Sequence, residues 1–199
     1  MLRFLLGIVI GIVLMPIAVL LWFHYGHVPV AVADPPLPEE RLITSVPLDE
    51  RIHREMIANP PIQADEATFV AGAHIYSDQC AFCHGFYGKP SAVGRDMFPD
   101  APPLWEKHHN DQVVGVSDDP PGETYWKVAN GIRLSGMPAF KKVLSDTEMW
   151  QVSLLLANAD KPLPPDAITV LTAPAAPAVS PGSNVTPAVA TKPGAPQPR

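Results

Sequence analysis

The motif that most constrains this chain is Cys80-Ala81-Phe82-Cys83-His84, which contains both cysteines of the 199-residue sequence. Two thiols three residues apart at the end of a helix lie on one face of it, so they can add to the two vinyl groups of a haem. His84 then follows beneath the iron, for which an imidazole is a good ligand. The motif therefore predicts one covalently attached haem c, with Cys80 and Cys83 as attachment points and His84 as the proximal ligand.

Two other uses of a Cys-x-x-Cys pair compete with this interpretation. A thioredoxin-like redox pair belongs in a βαβ setting, which this sequence does not show, and a zinc site needs two further ligands at matching spacing. Both cysteines lie within four residues of each other, which excludes a framework of structural disulfides. Haem attachment is the interpretation that the sequence favours.

Proline divides the chain into parts. Most of the 25 prolines fall in two blocks, at 29–61 and 162–198, whereas aromatic and regularly spaced apolar residues lie between the blocks. The sequence predicts an N-terminal transmembrane anchor or uncleaved signal at 1–23, a proline-rich tether at 24–64, a folded domain at 65–161 and a disordered Pro/Ala-rich tail at 162–199.

An uncharged apolar run of 20 residues, Phe4 to Phe23, lies near the N-terminus. A helix of this length covers the roughly 30 Å hydrocarbon core of a bilayer. Arg3 precedes the run and no Lys or Arg follows before Arg41, so we expect the N-terminus to stay cytoplasmic and the domain to be exported. The competing interpretation is a signal peptide cleaved after Ala33, although that site lies well beyond the apolar run.

The folded domain is predicted to be all-α, with three main helices. They cover about Glu66 to Gln79, about Glu123 to Asn130, and a segment that begins at the capping box Ser145-x-x-Glu148. Asp65 is available as the N-cap of the first helix, which leads directly into Cys80, and Gly131 closes the second. In the tether, the only helical pattern is a short one at about Asp49 to Ala58.

The formal net charge of −6 argues against a nucleic-acid partner, which requires clustered Lys and Arg. Between Asp65 and Lys161 the sequence has 13 acidic and 8 basic residues, so the domain alone carries a net charge of −5. An electrostatically docking partner is therefore expected to present a positive face.

A sixth ligand for the iron is expected downstream of the motif, and Gly136-Met137-Pro138 stands out. Proline fixes the loop, glycine lets the backbone approach the porphyrin, and a methionine thioether favours ferrous iron. Met137 is thus the candidate distal ligand. On spacing alone the competitors are Met97, His108, His109 and His74.

The domain resembles the small bacterial class I cytochromes c over about Asp65 to Asp160. The resemblance is carried by Ala71-Gly72 and Tyr76 before Cys80-x-x-Cys83-His84-Gly85, by Pro102-Pro103-Leu104, by Asn130-Gly131-Ile132, by Gly136-Met137-Pro138-Ala139-Phe140 and by a terminal helix bearing Trp150. It implies the class I cytochrome c fold, in which three main helices surround a covalent haem. In this chain, a predicted N-terminal transmembrane helix and a predicted disordered C-terminal tail flank that domain.

The resemblance also implies roles for particular residues. Cys80 and Cys83 would form the thioethers, and His84 and Met137 would bind the iron. The carbonyl of Pro102 would accept a hydrogen bond from the proximal histidine, although the resemblance does not separate Pro102 firmly from the adjacent Pro103. The first helix would cross the terminal helix at Gly72 and Tyr76, with Val152 and Leu155 facing them.

These features predict a single-pass protein of the bacterial inner membrane with a periplasmic domain. It would carry single electrons from a dehydrogenase or quinol-oxidising complex to an oxidase or another cytochrome, and it would not be an enzyme. Two alternatives remain open at this point: a haem enzyme or gas-binding protein with an open distal site, and a fixed electron-relay subunit of a larger membrane complex.

Overall fold

The computed structural model describes residues 1–108 and 113–173, so His109 and the predicted tail beyond residue 173 lie outside it. The described residues are mostly helical. The elements, in chain order, are α1 (Leu2–Tyr25), α2 (Glu40–Glu55), α3 (Glu66–Ile75), a π-helical turn (Tyr76–Cys80), α4 (Ala81–His84), α5 (Ala92–Arg95), β1 (Lys107–His108), β2 (Val113–Val114), α6 (Pro121–Asn130), α7 (Asp146–Leu156) and α8 (Pro165–Thr172). Strands β1 and β2 pair antiparallel. The predicted all-α class is confirmed.

Helix α1 contains the predicted apolar run and extends slightly beyond it at both ends. Arg3–Tyr25 has a mean hydropathy of 3.0, and no residue of its most apolar window is buried in the protein. Pro16 lies inside the helix. Length and composition allow α1 to cross a membrane, and a signal sequence near the N-terminus would pass the same test.

The core of the domain forms where α3 crosses α7, at the residues that the resemblance implies. A Cβ atom added to Gly72 would lie 2.5 Å from the carbonyl oxygen of Gln151, so only glycine lets the two backbones come this close. Tyr76, Val152 and Leu155 are fully buried around the crossing. The predicted helix crossing is therefore present.

The caps of the predicted helices are also present. Asp65 accepts a hydrogen bond from the Thr68 amide at 2.9 Å, and Ser145 and Glu148 form both halves of the capping box of α7. The first helix departs from the prediction at its end: the Ala81 amide donates to the Tyr76 carbonyl, five residues back, in a π-helical turn. This turn adds a residue just before the motif and so sets the direction in which Cys80 leaves the helix.

Helix α8 corrects the predicted start of the disordered tail at residue 162. Pro165 occupies the first turn of α8, a position that proline favours. Ala167 and Leu171 are buried, and α8 packs against α3. Burial of this apolar face stabilises a segment whose proline content alone suggests disorder, so the folded domain extends at least to Thr172.

Helix α2 corrects the prediction of a proline-rich tether at 24–64 whose only helical pattern is at about Asp49 to Ala58. It is longer than the short helix expected there, and its C-terminal part packs on α6. Ile52 is 2% exposed, and Glu55 Oε2 accepts a hydrogen bond from Trp126 Nε1 at 2.9 Å. A Cβ atom on Gly122 would lie 2.0 Å from the Ile57 carbonyl oxygen, so the chain beyond α2 lies directly against α6. Only residues 26–39 separate α1 from this docked helix.

Candidate functional site

The motif forms a single helical turn at the end of α3. Cys80 ends the π-helical turn, and Cys83 and His84 lie in α4. Because residues three and four apart share a helix face, both thiols and the imidazole face the same side. Both thiols are free and half-buried. Gly85 then ends the helix with φ +88°, a conformation that favours glycine.

The environment of the thiols argues against a thiol–disulfide redox pair. Burial, with a smaller contribution from Cys83, raises the pKa of Cys80 to about 12. A reactive redox cysteine needs a lowered pKa, because the thiolate is the nucleophile. Among the residues that the structure describes, no group of three or more His, Cys, Asp and Glu side chains could hold a metal ion, which removes the support for a zinc site.

His84 is oriented by Pro102. Its Nδ1 lies 2.8 Å from the Pro102 carbonyl oxygen, and a carbonyl can only accept a hydrogen bond, so Nδ1 carries the proton. Burial lowers the pKa of His84, against the opposing effect of the Pro102 hydrogen bond. The imidazole is therefore neutral, with its lone pair on Nε2 available to a metal. The contact implied by the resemblance is present, and Pro102 rather than Pro103 makes it.

The backbone on either side of this imidazole is also held. The Leu104 amide donates to the His84 carbonyl at 3.2 Å, and the hydroxyl of Tyr76 donates to the Gly85 carbonyl at 2.6 Å. Burial is the main cause that raises the pKa of Tyr76, so its hydroxyl stays protonated and remains a donor. From the sequence, Tyr76 was expected only to pack at the helix crossing. A tyrosine at such a crossing needs a partner for its hydroxyl, but only the folded structure shows that the partner is Gly85.

Ser91 connects the motif by hydrogen bonds to the loop that follows it. Its hydroxyl donates to the Phe82 carbonyl at 2.7 Å and accepts from the Gly94 amide at 3.0 Å. A Cβ atom on Gly94 would lie 2.0 Å from the Cys83 carbonyl oxygen, so α5 lies directly against the attachment turn. These contacts within the protein hold Cys83 and His84 in position without any contribution from a cofactor.

The distal candidate, Met137, lies in a loop after α6. Its side chain is half-buried and packs against the core. The Ile132 amide donates to the Met137 carbonyl at 3.2 Å. A Cβ atom on Gly131 would lie 2.8 Å from the same carbonyl oxygen, and the φ of +66° at Gly131 is one that side chains rarely adopt. Gly131 therefore lets the loop fold back onto the end of α6.

The four competing distal ligands differ in their positions. Met97 is half-buried and packs its methyl group against Gly136, next to Met137. His74 is exposed on α3. His108 lies in β1 and is hydrogen-bonded to the Gly115 carbonyl, and His109 lies outside the described residues. Met97 is the competitor that the structure brings beside the Met137 loop.

The donor set fits a haem c. Two free thiols on one helix face can form thioethers, a neutral imidazole can bind iron through Nε2, and a half-buried thioether can complete the coordination. The residues that would hold the group are therefore Cys80, Cys83, His84 and Met137, with Pro102 orienting His84.

Comparison with known families defines the class of protein. Residues 67–154 match the model of the family described as "Cytochrome C oxidase, cbb3-type, subunit III". Together with the helical fold and the attachment motif, this match identifies a c-type cytochrome domain, which implies a covalently bound haem c. Within that class, cbb3-type subunit III is the particular family that the domain matches, over less than half of the chain.

Other comparisons add little. A chain from the reducing HAO-like protein complex of Kuenenia stuttgartiensis is similar at 22% sequence identity, covering 53% of this chain and 49% of that chain with a TM-score of 0.40. The similarity thus spans about half of that chain and is too low to support an inference. No curated protein matches this chain significantly.

Proposed function

We propose that this protein is a membrane-tethered, periplasmic cytochrome that carries single electrons through one covalent haem with His84 and Met137 as axial ligands. Its partners are redox proteins: a dehydrogenase or quinol-oxidising complex as donor, and an oxidase or another cytochrome as acceptor. In this role it performs no bond chemistry on a substrate.

The observation that carries the proposal is the hydrogen bond from His84 Nδ1 to the Pro102 carbonyl, in a chain with the attachment motif. This bond fixes the tautomer, with the proton on Nδ1 and the lone pair on Nε2 available to a metal. The haem, when bound, supplies an iron that alternates between its ferric and ferrous states. The protein holds the imidazole neutral and fixed, and the Met137 thioether, a soft and neutral ligand, favours the ferrous state and raises the potential.

The anchor and the charge of the domain support the proposed location and partners. α1 is long and apolar enough to cross a membrane. Because α2 is docked on α6, the segment of 14 residues from Gly26 to Glu39 spans at most about 50 Å even when fully extended. The domain would therefore stay close to the membrane surface, where its excess of acidic residues suits a partner with a positive face.

Haem retention after denaturation tests the covalent attachment. Haem should stay with the full-length polypeptide in acid or detergent, and the double substitution Cys80→Ala and Cys83→Ala should abolish this. Ser153→Ala, which removes a hydroxyl that bonds only within α7, is the control and should retain haem. Haem extractable from the denatured wild type would contradict the proposal.

A further inference from the structure

We propose that the hydroxyl of Ser135 holds Met137 in position to bind the iron and thereby limits how fast other ligands can displace it. The inference rests on the proposed function, because it assumes that Met137 is the distal ligand. Ser135 is a positioning residue in this account, since it acts on the backbone of Met137 and not on the iron.

Ser135 connects the two ends of the loop that carries Met137. Its hydroxyl donates to the Ile132 carbonyl at 2.7 Å and accepts from the Met137 amide at 3.2 Å. The direct bond from the Ile132 amide to the Met137 carbonyl, also 3.2 Å, closes the same loop. The Ser135 oxygen therefore bridges Ile132 and Met137 inside a loop of six residues.

The rest of this loop offers little packing of its own. Leu134 has a φ of +62°, a left-handed conformation that costs energy for a residue with a side chain. Its side chain is 78% exposed, and Gly136, next to Met137, has no side chain. Apart from the packing of Met137 on the core and of Met97 on Gly136, the loop is held by its internal hydrogen bonds, and the Ser135 hydroxyl contributes two of them.

Loss of that hydroxyl would leave two backbone groups without this partner. The Met137 amide would lose its acceptor, and the Ile132 carbonyl would lose a donor. An external ligand can reach the iron only after Met137 moves away, so a loop that opens more easily exchanges its ligand faster. Removing one or two neutral hydrogen bonds should speed exchange about tenfold, which corresponds to about 1.4 kcal/mol.

Ser153 provides a control away from both sides of the site. Its hydroxyl donates to the Met149 carbonyl at 2.7 Å, a bond that lies within α7. Its removal takes away one neutral hydrogen bond and should not affect the departure of Met137.

The experiment compares the full-length, haem-loaded wild type with Ser135→Ala, Ser135→Thr and Ser153→Ala. The rate at which imidazole binds the ferric protein is measured, together with the far-red charge-transfer band that reports sulfur bound to ferric iron. We expect Ser135→Ala to bind imidazole about tenfold faster while keeping the band. Ser135→Thr, which retains a hydroxyl, and Ser153→Ala should bind at close to the wild-type rate.

The outcomes separate this inference from the proposed function. A wild type without the sulfur band would overturn Met137 ligation and the Ser135 inference together. If the wild type shows the band but Ser135→Ala exchanges no faster than Ser153→Ala, the Ser135 inference alone is overturned. If Ser135→Ala loads too little haem to measure, a Ser135→Thr rate well above wild type would contradict the inference and an unchanged rate would support it.

Discussion

The proximal and distal sides of the site are held in different ways. On the proximal side, His84 and Gly85 are hydrogen-bonded to Tyr76 in the π-helical turn and to Pro102 and Leu104, partners that lie 9 to 20 residues away in the sequence. On the distal side, the hydrogen bonds described for the Met137 backbone come from Ile132 and Ser135 in its own loop.

This difference indicates which side of the site can move. The proximal loop cannot move unless several segments of the domain separate, whereas the distal loop can open by breaking its own hydrogen bonds and the side-chain contacts of Met97 and Met137. The proximal side should therefore govern haem attachment and domain stability, and the distal side should govern ligand exchange and the potential. The following predictions test this division, from the largest expected effect to the smallest.

Met137→Ala should have the largest effect and should act on the distal side alone. Without the thioether the ferrous protein should bind carbon monoxide rapidly, and its potential should fall, because a ligand that favours ferrous iron is lost. Rapid-mixing spectroscopy and a redox titration check both. Haem attachment should survive, since Cys80, Cys83 and His84 are unchanged. If the unmodified protein already binds carbon monoxide as fast, it has an open distal site and is not a pure carrier.

Gly94→Ala should damage the proximal side. The new Cβ would lie 2.0 Å from the Cys83 carbonyl oxygen, so α5 and the attachment turn must separate. We expect a loss of about 2–3 kcal/mol in the free energy of unfolding, measured by denaturant titration of the haem-loaded protein. Gly11→Ala is the control, because nothing lies within 4 Å of its added Cβ and its φ is outside the left-handed region. Equal stabilities for the two variants would contradict the described packing.

Tyr76→Phe should weaken the proximal side without opening the distal one. The buried Gly85 carbonyl would lose the hydroxyl that donates to it at 2.6 Å, and the free energy of unfolding should fall by about 1–2 kcal/mol. The imidazole-binding rate of the ferric protein should stay unchanged. A marked rise in that rate would show that the proximal and distal sides are coupled, and would contradict their separate roles in stability and ligand exchange.

Leu134→Gly should slightly stabilise the distal loop. Glycine removes the cost of about 1–2 kcal/mol that a side chain incurs at a φ of +62°. Its greater freedom in the unfolded chain offsets part of this gain, so a net stabilisation of about 0.5 kcal/mol is expected. Denaturant titration beside the wild type measures it. A net loss of stability would indicate that the exposed Leu134 side chain makes contacts that hold the loop.

Local sequence signals predicted much of the fold. Asp65 and the Ser145 capping box marked helix starts because capping depends on a few adjacent residues. The attachment motif placed Cys80, Cys83 and His84 on one face for the same local reason. The resemblance to class I cytochromes c, and not a local signal, placed Gly72 at the helix crossing, where close backbone approach requires glycine.

Features that depend on distant parts of the chain were not predictable in this way. The bond between Glu55 and Trp126 joins residues 71 apart, and no local pattern indicates that α2 will dock on α6. The apolar face of α8 is short, and the prolines around it suggest disorder. Only in the folded domain does α3 pack against this face and stabilise the helix. The hydroxyl of Tyr76 likewise needs the folded position of Gly85 to show its role.

The central claim, a covalent haem with His84 and Met137 as axial ligands, is tested most directly by proton NMR of the reduced, haem-loaded protein. A methionine methyl group bound to ferrous haem iron lies above the porphyrin, whose ring current shifts its resonance far upfield. We predict one such resonance, present in the wild type and in Met97→Ala and absent from Met137→Ala. Its absence from the wild type, or its loss in Met97→Ala with retention in Met137→Ala, would contradict the account.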